Sequence, residues 1–410
     1  MFDTIIVGGG AAGLAAAIMI KKRSPQLNIA IFVQLDRVGK KSSTTGNCRC
    51  NITNKIIKST NYYTHDINKV NKILADFPLQ KTKEFFSSIG VEICFENNKA
   101  YPRSFQASSV VDALRFSAQN ADIHLFTSTK IINITKKNDV FNIITEDKSL
   151  SDSTLKAKTV ILATGGLAGG NKLGSNGDGY KFLKNFGHNI ISQSPVIVQI
   201  KTENTVTKSL KGIKTNAKVK IYNDRKIIVS DYGEVLFCDY GLSGPPILQL
   251  SRYCTNKSTI VLDLFNEFEE EQLLKIILKR RNIFADLPLT EFFAGLLHKR
   301  IGQEVLKQCN LSLSASCKAL TDNDCRIVAK TLKNFKFKVT GNTGFSNAQA
   351  TSGGADLKDF DDSLMSKRCK GLFAVGEVLD VDGDCGGYNL QWAWSSANSV
   401  ANSIILFLGG

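Results

Sequence analysis

The sequence predicts an α/β fold whose main domain is a doubly wound, Rossmann-like sheet. Three observations support this prediction. Residues 4–33 follow the pattern strand, glycine-rich turn, helix, strand; short alternating apolar runs begin near residue 193; and an apolar strand and a long helix close the chain after residue 370. At roughly 150 residues per domain, a chain of 410 residues is expected to form two or three domains.

The strands of the main sheet are predicted from apolar runs of four to six residues. The opening unit places a strand at residues 4–7, an alanine-rich helix at 11–22 and a second strand at 28–33. Further strand patterns, each expected to end at a ligand crevice, occur at 131–135, 140–144 and 159–163.

The middle of the chain has a different pattern. Residues 217–222 and 226–230 alternate between apolar and polar, which indicates an antiparallel sheet or small barrel. Apolar residues at helical spacing then predict an inserted helical piece with one buried face: Leu273, Leu274, Ile277 and Leu278, followed by Phe292, Phe293, Leu296, Leu297 and Ile301. A short apolar strand at 371–376 and a helix at 388–406 predict that the sheet resumes at the C-terminus.

Composition excludes several classes of protein. Apolar residues make up 43% and charged residues 22%, and no apolar run approaches the ~20 residues of a membrane span, so disordered and transmembrane chains are excluded. The first residues contain neither a basic region nor a cleavage site, and we expect a cytoplasmic protein. The ten cysteines lack regular spacing and any CxxC pair, so we expect reduced thiols and no metal site.

The chain is basic, with 52 Lys and Arg against 37 Asp and Glu and a formal charge of +15. Such a charge favours anionic ligands, which include both dinucleotides and nucleic acids. The lysines are spread along the chain, and no basic run is interleaved with aromatic residues. This distribution favours a solvated surface and argues against a nucleic-acid partner.

A glycine-rich turn follows the first predicted strand. Residues 8–13, Gly-Gly-Gly-Ala-Ala-Gly, fit GxGxxG between a strand and a helix, where glycines let the backbone approach a pyrophosphate at the helix N-terminus. The alternative is a tight turn without a ligand. An acidic residue usually holds the ribose about 20 positions beyond the last glycine, but Val33 stands there. Either Gln34 or Asp36 substitutes for it, or the adenosine end is held more weakly.

No second GxGxxG occurs, so a single tightly bound dinucleotide is expected to touch several of the other glycine turns, at 163–166, 174–179 and 383–389. The alternative is that each is an ordinary turn. Glu377 follows a strand end, from which its carboxylate can reach a ribityl chain or a pyrophosphate; the alternative is a surface turn. Residues 386–391 open the last helix, where free backbone N–H groups suit an anion such as a reduced flavin.

Cys48, Arg49 and Cys50 are the candidates for catalytic chemistry, and no general acid or base is singled out. Arg49 is expected to place a cation near an isoalloxazine or a pyrophosphate, with a surface salt bridge as the alternative. The two cysteines are either a redox pair or, more commonly, packing thiols. His188 is expected to be structural, and Tyr388 is expected to pack near the cofactor.

Several motifs together resemble the HI0933/YhiN-like flavoproteins, a bacterial family also called BaiN-like or the aminoacetone oxidase family. The resemblance runs in order from residue 4 to beyond residue 400, and its C-terminal motif is specific. The motifs are residues 8–13, Thr-Gly-Asn-Cys-Arg-Cys-Asn-Ile-Thr-Asn at 45–54, Ala-Thr-Gly-Gly at 163–166, Gly-Ser-Asn-Gly-Asp-Gly-Tyr at 174–180, Gly-Leu-Ser-Gly-Pro at 241–245, Gly-Glu-Val-Leu-Asp at 376–380 and Gly-Gly-Tyr-Asn-Leu-Gln-Trp at 386–392.

This resemblance implies a split FAD-binding domain (1–192 and 345–410), a β-rich domain inserted into it (193–266 and 334–344) and a helical subdomain (267–333). It also implies an FAD-dependent oxidoreductase, in which flavin N5 passes hydride between a reductant, with transiently docked NAD(P)H as a candidate, and a small organic substrate or oxygen. Family members are proposed to reduce conjugated steroid enones or to oxidise amines. The alternatives are a flavoprotein that binds or modifies RNA and a non-catalytic scaffold.

Four positions depart from the family pattern: Val33 replaces an acid, Cys48 replaces a glycine, and Cys238 and Asp239 replace a Thr-His pair. The residues expected to contact FAD are Gly8, Gly10, Ala11, Ala12, Gly13, Gln34, Arg49, Cys50, Asn51, Thr164, Gly165, Gly166, Asp178, Gly376, Glu377, Gly386, Gly387, Tyr388, Asn389 and Leu390.

Overall fold

The computed structural model describes residues 1–146, 154–224 and 226–409. It divides into two compact units, one formed by Met1–Val196 with Phe345–Gly410 and the other by Ile197–Gly344. Each unit has its own hydrophobic core. In the part of the chain that is described, no helix has the length and apolar character needed to cross a bilayer.

The strands, in chain order, are β1 (Phe2–Val7), β2 (Ile29–Phe32), β3 (Thr53–Asn54), β4 (Tyr62–Tyr63), β5 (Ile93–Glu96), β6 (Lys99–Pro102), β7 (His124–Phe126), β8 (Ile131–Lys137), β9 (Val140–Thr145), β10 (Leu155–Leu162), β11 (Ile190–Val196), β12 (Ile200–Thr202), β13 (Lys214–Asn223), β14 (Lys226–Cys238), β15 (Gly241–Ser243), β16 (Thr259–Asp263), β17 (Phe335–Asn342), β18 (Ala350–Ala355), β19 (Leu372–Ala374) and β20 (Asp382–Gly383).

The α-helices are α1 (Ala11–Arg23), α2 (Thr45–Cys48), α3 (Ile67–Asp76), α4 (Leu79–Ser87), α5 (Ala107–Asn120), α6 (Asp178–Asn185), α7 (Asn204–Ser209), α8 (Pro245–Leu250), α9 (Glu270–Ile283), α10 (Lys299–Gln308), α11 (Asp322–Lys333) and α12 (Tyr388–Leu408). The predicted opening unit therefore corresponds to β1, α1 and β2, and the predicted closing elements to β19 and α12.

The main sheet of the first unit has the strand order β7-β2-β1-β10-β9-β8, with β19 also paired to β10. The pairs β2–β7, β1–β2, β1–β10 and β10–β19 are parallel, as a doubly wound sheet requires. The expectation that every strand ends at the crevice is wrong for β8. Ile131 at the start of β8 lines the crevice, and in the antiparallel hairpin of β8 and β9 it pairs with Thr145 at the end of β9, so β8 runs away from the crevice. Strand β9 is also antiparallel to β10.

Helix α1 lies close to the sheet because Gly13 has no side chain. A Cβ atom there would lie 2.0 Å from the carbonyl oxygen of Gly8. Residues 12–20 of α1 are all buried, and α1 packs against α12. The third glycine of the motif therefore permits helix–strand packing, and this packing fixes the N-terminus of α1 beside the end of β1.

The second unit is built on a closed barrel with the strand order β12-β15-β14-β13-β16-β17, which confirms the predicted barrel. Its core continues into α9, α10 and α11, so a separate helical subdomain at 267–333 stays a prediction. The helical spacing from Phe292 to Leu297 was misleading, because these residues form turns after a 3-10 segment. Gly295 interrupts a helix there with a φ of +73°.

Candidate cofactor and active site

An open cleft of about 1240 Å³, open solvent included, lies in the first unit where β1, β2, β10 and β19 end. This is the edge at which doubly wound sheets bind dinucleotides. Many residues predicted to contact the cofactor line it: Gly8, Gly10, Ala11, Ala12, Gln34, Thr164, Gly165, Asp178, Gly376, Glu377, Asn389 and Leu390. The remaining predicted residues, Gly13, Arg49, Cys50, Asn51, Gly166, Gly386, Gly387 and Tyr388, are not among the residues that line the cleft.

The glycine turn leaves room for a ligand at the N-terminus of α1. Gly10 is the N-cap residue of α1, and a Cβ atom there would have no atom within 4 Å. Gly8 has a φ of +112°, and a Cβ atom there would lie 2.4 Å from the carbonyl oxygen of Ala163. Because the first N–H groups of a helix lack partners within the helix, this turn suits a diphosphate.

The polar groups of the cleft fit the same ligand. Thr164 lines the cleft, but its buried Oγ1, which has no hydrogen-bond partner among the described residues, lies 2.0 Å from where a Cβ atom on Gly179 of α6 would be. Arg37, Lys40, Lys41 and Lys130 line the same cleft and supply positive charge. Basic side chains beside glycine turns suit an anionic dinucleotide.

At the end of β2, Val33 is 7% exposed, and its Cγ2 would lie 2.5 Å from a Cβ atom on Gly9. Gln34 lines the cleft, and its Nε2 donates to the carbonyl oxygen of Gly174 at 2.8 Å. The Asp36 side chain is 70% exposed, pairs with Lys40 at 2.6 Å and is not among the lining residues. Of the two proposed substitutes for the missing acid, the structure brings only Gln34 to the cleft.

Glu377 faces the cleft from the turn after β19. Its Oε2 lies 2.5 Å from the Nζ of Lys41, and its Oε1 accepts a hydrogen bond from the N–H of Thr351 at 2.9 Å. The hydroxyl of Tyr180 is buried nearby and has no hydrogen-bond partner in the described part of the chain. Burial raises the pKa of Tyr180, and the charges of Glu377 and Asp380 raise it further, so this phenol stays protonated.

The N-terminus of α12 approaches the cleft through Asn389 and Leu390. Gly387 is the N-cap residue of this helix, with a φ of +96°. The Asn389 side chain accepts from the N–H of Gly383 and donates to its carbonyl oxygen, both at 2.9 Å, which anchors this turn. Tyr388 donates its hydroxyl to the carbonyl oxygen of Ile56 at 3.1 Å, a packing arrangement.

Asn51 and Arg49 lie in the segment after α2. Asn51 is 8% exposed, and its Oδ1 has no hydrogen-bond partner among the described residues. The guanidinium of Arg49 pairs with Glu96 at 2.7 Å and lies over the rings of Tyr101 at 4.4 Å and Phe105 at 4.5 Å. The hydrogen bond to Glu96 raises the pKa of Arg49. Arg49 therefore forms the salt bridge that sequence analysis held as the alternative.

The family model that describes the HI0933-like protein Rossmann domain matches residues 2–403 of this chain. The chain belongs to the HI0933-like family. It is an FAD-dependent oxidoreductase, as the sequence predicted. Together with the open space at Gly10 and the basic lining, this identifies the cleft as one that fits FAD.

Two similar curated proteins cover nearly the whole HI0933-like chain. The 3-dehydro-bile acid delta(4,6)-reductase of Clostridium scindens is 30% identical over 95% of this chain and 96% of its own length. The ribosomal RNA dihydrouridine synthase of Escherichia coli K12 is 27% identical over 98% of both chains.

Solved structures share the fold at low sequence identity. The 3-ketosteroid-Δ4-(5α)-dehydrogenase of Rhodococcus jostii RHA1 has a TM-score of 0.52 at 12% identity, over 98% of this chain and 96% of its own. The FrdA chain of E. coli quinol fumarate reductase has a TM-score of 0.53 at 14% identity, over 98% of this chain and 69% of its own. These similarities show the fold alone.

The departures from the HI0933-like pattern have distinct structural settings. Cys48 is exposed and has a φ of +64°, the left-handed conformation that a glycine adopts freely. Cys50 is buried with a φ of +55°. In the second unit, Asp239 pairs with Lys211 at 2.7 Å, which holds the pKa of Asp239 below its usual value.

Sequence analysis missed several cleft residues. Asn176 lies inside the motif at 174–180 and Lys41 shortly before the motif at 45–54, but their residue types give no signal without the fold. Lys130 and Gln349 reach the cleft from the start of β8 and from the residue before β18. His188 was expected to be structural, and its Nδ1 lies 3.0 Å from the carbonyl oxygen of Leu183.

Proposed function

We propose that this enzyme reduces a carbon–carbon double bond conjugated to a carbonyl group in a small organic substrate. The observation that carries the proposal is the 30% identity, over 95% of the chain, to a protein named as a 3-dehydro-bile acid delta(4,6)-reductase. That name describes the reduction of double bonds in conjugation with a 3-oxo group. The polarised β-carbon of such a substrate is a natural hydride acceptor.

When bound, FAD would supply the hydride chemistry, taking a hydride from a reductant and delivering it to the electron-poor β-carbon of the substrate, while the α-carbon takes a proton from solvent. The protein contributes position and charge. The glycine turn at Gly10 and the Lys41 cation would hold the diphosphate, and the positive end of α12 would stabilise negative charge near Asn389.

The reductant in this proposal is NAD(P)H that docks transiently. The sequence contains one GxGxxG motif, at residues 8–13, and the cleft that fits FAD uses it. A nicotinamide cofactor would therefore bind only long enough to pass its hydride. Stopped-flow mixing of the FAD-loaded protein with NADH and NADPH tests this, and no flavin reduction by either nucleotide would remove this reductant.

A second candidate substrate is uridine in RNA. The observations that favour it are the formal charge of +15 and the 27% identity to proteins of E. coli and Haemophilus influenzae that are named ribosomal RNA dihydrouridine synthases. Dihydrouridine differs from uridine by two hydrogens added across a double bond that is conjugated to a carbonyl. Both candidates therefore require the same hydride chemistry and differ in the size and charge of the substrate.

The deciding experiment mixes the photoreduced, FAD-loaded protein anaerobically with either a 3-oxo-Δ4 steroid or an unmodified ribosomal RNA transcript. We expect the steroid to restore the absorbance of oxidised flavin and to gain two hydrogens by mass spectrometry. Reoxidation by the RNA alone, with dihydrouridine in its digest, would favour the second candidate. If oxygen reoxidises the flavin and neither substrate does, the proposed reduction of conjugated double bonds is wrong.

A further inference from the structure

The end of β2 cannot hold the adenosine ribose in the usual way. In Rossmann-type sites an acidic side chain there accepts hydrogen bonds from the ribose hydroxyls. Val33 occupies this position, is buried against Gly9 and has no acceptor. Asp36, the next carboxylate along the chain, is turned outward and paired with Lys40.

A polar network that joins Gln34, the residue after Val33, to the loop before α6 lies at the same end of the cleft. Gln34, Asn176 and Asp178 all line it. The Nδ2 of Asn176 donates to Gln34 Oε1 at 3.0 Å and to Asp178 Oδ2 at 2.5 Å. The Oδ1 of Asn176 accepts from the N–H of Asp178 at 3.0 Å. The amide group of Asn176 thus binds both Gln34, after β2, and Asp178, at the start of α6.

Asp178 is a carboxylate that keeps acceptor capacity in this network. Its side chain is 18% exposed, with Lys181 at 2.9 Å and Lys130 at 3.8 Å as counter-charges. A carboxylate offers about four acceptor sites, and the described contacts leave some of them for a ligand. Gly174 and Gly177, each with a φ of +79°, allow the loop to present these side chains to the cleft.

We propose that Gln34, Asn176 and Asp178 form the ribose clamp of this protein. Asp178 at the start of α6 takes the role of the missing acid, and Gln34 Oε1 offers a second acceptor. Asn176 is a positioning residue, because it acts on the ligand through its two neighbours. Recognition of the adenosine half thus moves from β2 to the loop before α6, which keeps FAD bound although Val33 contributes no hydrogen bond.

The test uses ADP, 2′-deoxy-ADP and 3′-deoxy-ADP as probes that displace FAD from the wild-type protein. Hydrogen bonds to a charged acceptor are strong, so we expect at least one deoxy analogue to bind about tenfold more weakly than ADP. Asp178→Asn should weaken FAD and ADP by a similar factor of about ten and remove most of the preference for ADP over the deoxy analogue.

The matched variants separate a clamp from a structural brace. Gln34→Ala and Asn176→Ala should also reduce the preference, and Val33→Glu in the Asp178→Asn background should restore FAD affinity. A role limited to bracing the loop would lower all affinities equally and leave the ratio of ADP to deoxy-ADP unchanged. Such an unchanged ratio would overturn the proposal. It would also be overturned if the wild type bound ADP and both analogues equally, or if ADP failed to displace FAD.

Discussion

The ammonium group of Lys41 lies 2.5 Å from the carboxylate of Glu377, which joins the loop after β2 to the turn after β19 across the FAD cleft. Both side chains are largely buried, with 24% and 19% of their surface exposed. Glu377 is held in turn by the N–H of Thr351. The Lys41 ammonium therefore neutralises the Glu377 carboxylate, which would otherwise repel a diphosphate bound at the glycine turn.

Lys41→Met should weaken FAD binding about 10- to 100-fold. The substitution removes a cation from the cleft and leaves the Glu377 carboxylate without its counter-charge beside the phosphates. Fluorescence titration of the FAD-free protein measures the effect. Adding Glu377→Gln to the Lys41→Met protein should recover part of the affinity, and a double variant that binds no better than Lys41→Met would contradict this account.

Gly10→Val should abolish FAD retention while the FAD-free protein stays as stable as the wild type. A Cβ atom at Gly10 would have no protein atom within 4 Å, so the added side chain enters space that the diphosphate needs. Gly13→Ala is the control: the smaller change places a Cβ atom 2.0 Å from Gly8 O and should cost about 1–3 kcal/mol of stability. Thermal unfolding of both FAD-free variants compares their stabilities. A Gly10→Val protein that unfolds at a lower temperature than the wild type would contradict this prediction.

The glycine turn could be predicted from sequence because its chemistry is local. Gly8, Gly10 and the residues between strand and helix act through backbone conformation, which neighbouring residues determine. Gln34 was predicted, but its acceptor at Gly174 lies 140 residues away, and only the fold shows that the two meet. Arg49 was predicted from its motif, but its contacts with Glu96 on β5 and Tyr101 on β6 are between residues distant in sequence and only the fold shows them.

Replacing Cys48 with glycine should leave the stability of the protein unchanged, whereas replacing it with a β-branched residue should lower it. Its φ of +64° costs an L-residue about 1–2 kcal/mol, and the exposed thiol does not compensate by burial. Cys48→Gly should therefore be neutral or slightly stabilising, because the relief of strain offsets the entropy that glycine loses on folding. Cys48→Val should be less stable than Cys48→Gly by about 1–3 kcal/mol. Urea denaturation compares the two, and equal stabilities would show that the left-handed conformation is wrong.

His188 should make the protein less stable at acid pH. The ring is 4% exposed, stacks on Phe360 and hydrogen-bonds to the carbonyl oxygen of Leu183. Burial lowers the pKa of His188, against the opposing effects of that hydrogen bond and of the Asp359 charge, while Arg368 lowers it further. Below about pH 6.5 the unfolded chain binds a proton that the folded protein does not, so the free energy of unfolding should fall as the pH falls through this range.

Replacing the imidazole should remove this acid-side loss. In His188→Phe a neutral ring keeps the contact with Phe360, so the free energy of unfolding should vary less between roughly pH 5 and 7 than in the wild type, by at most about 1.4 kcal/mol per pH unit for one proton. The exposed His124 on β7 provides the control, and His124→Gln should retain the wild-type slope. Urea unfolding at several pH values measures both slopes. Because the Leu183 hydrogen bond is also lost, His188→Phe should be less stable at neutral pH, and only an unchanged slope would show that His188 does not carry the acid sensitivity.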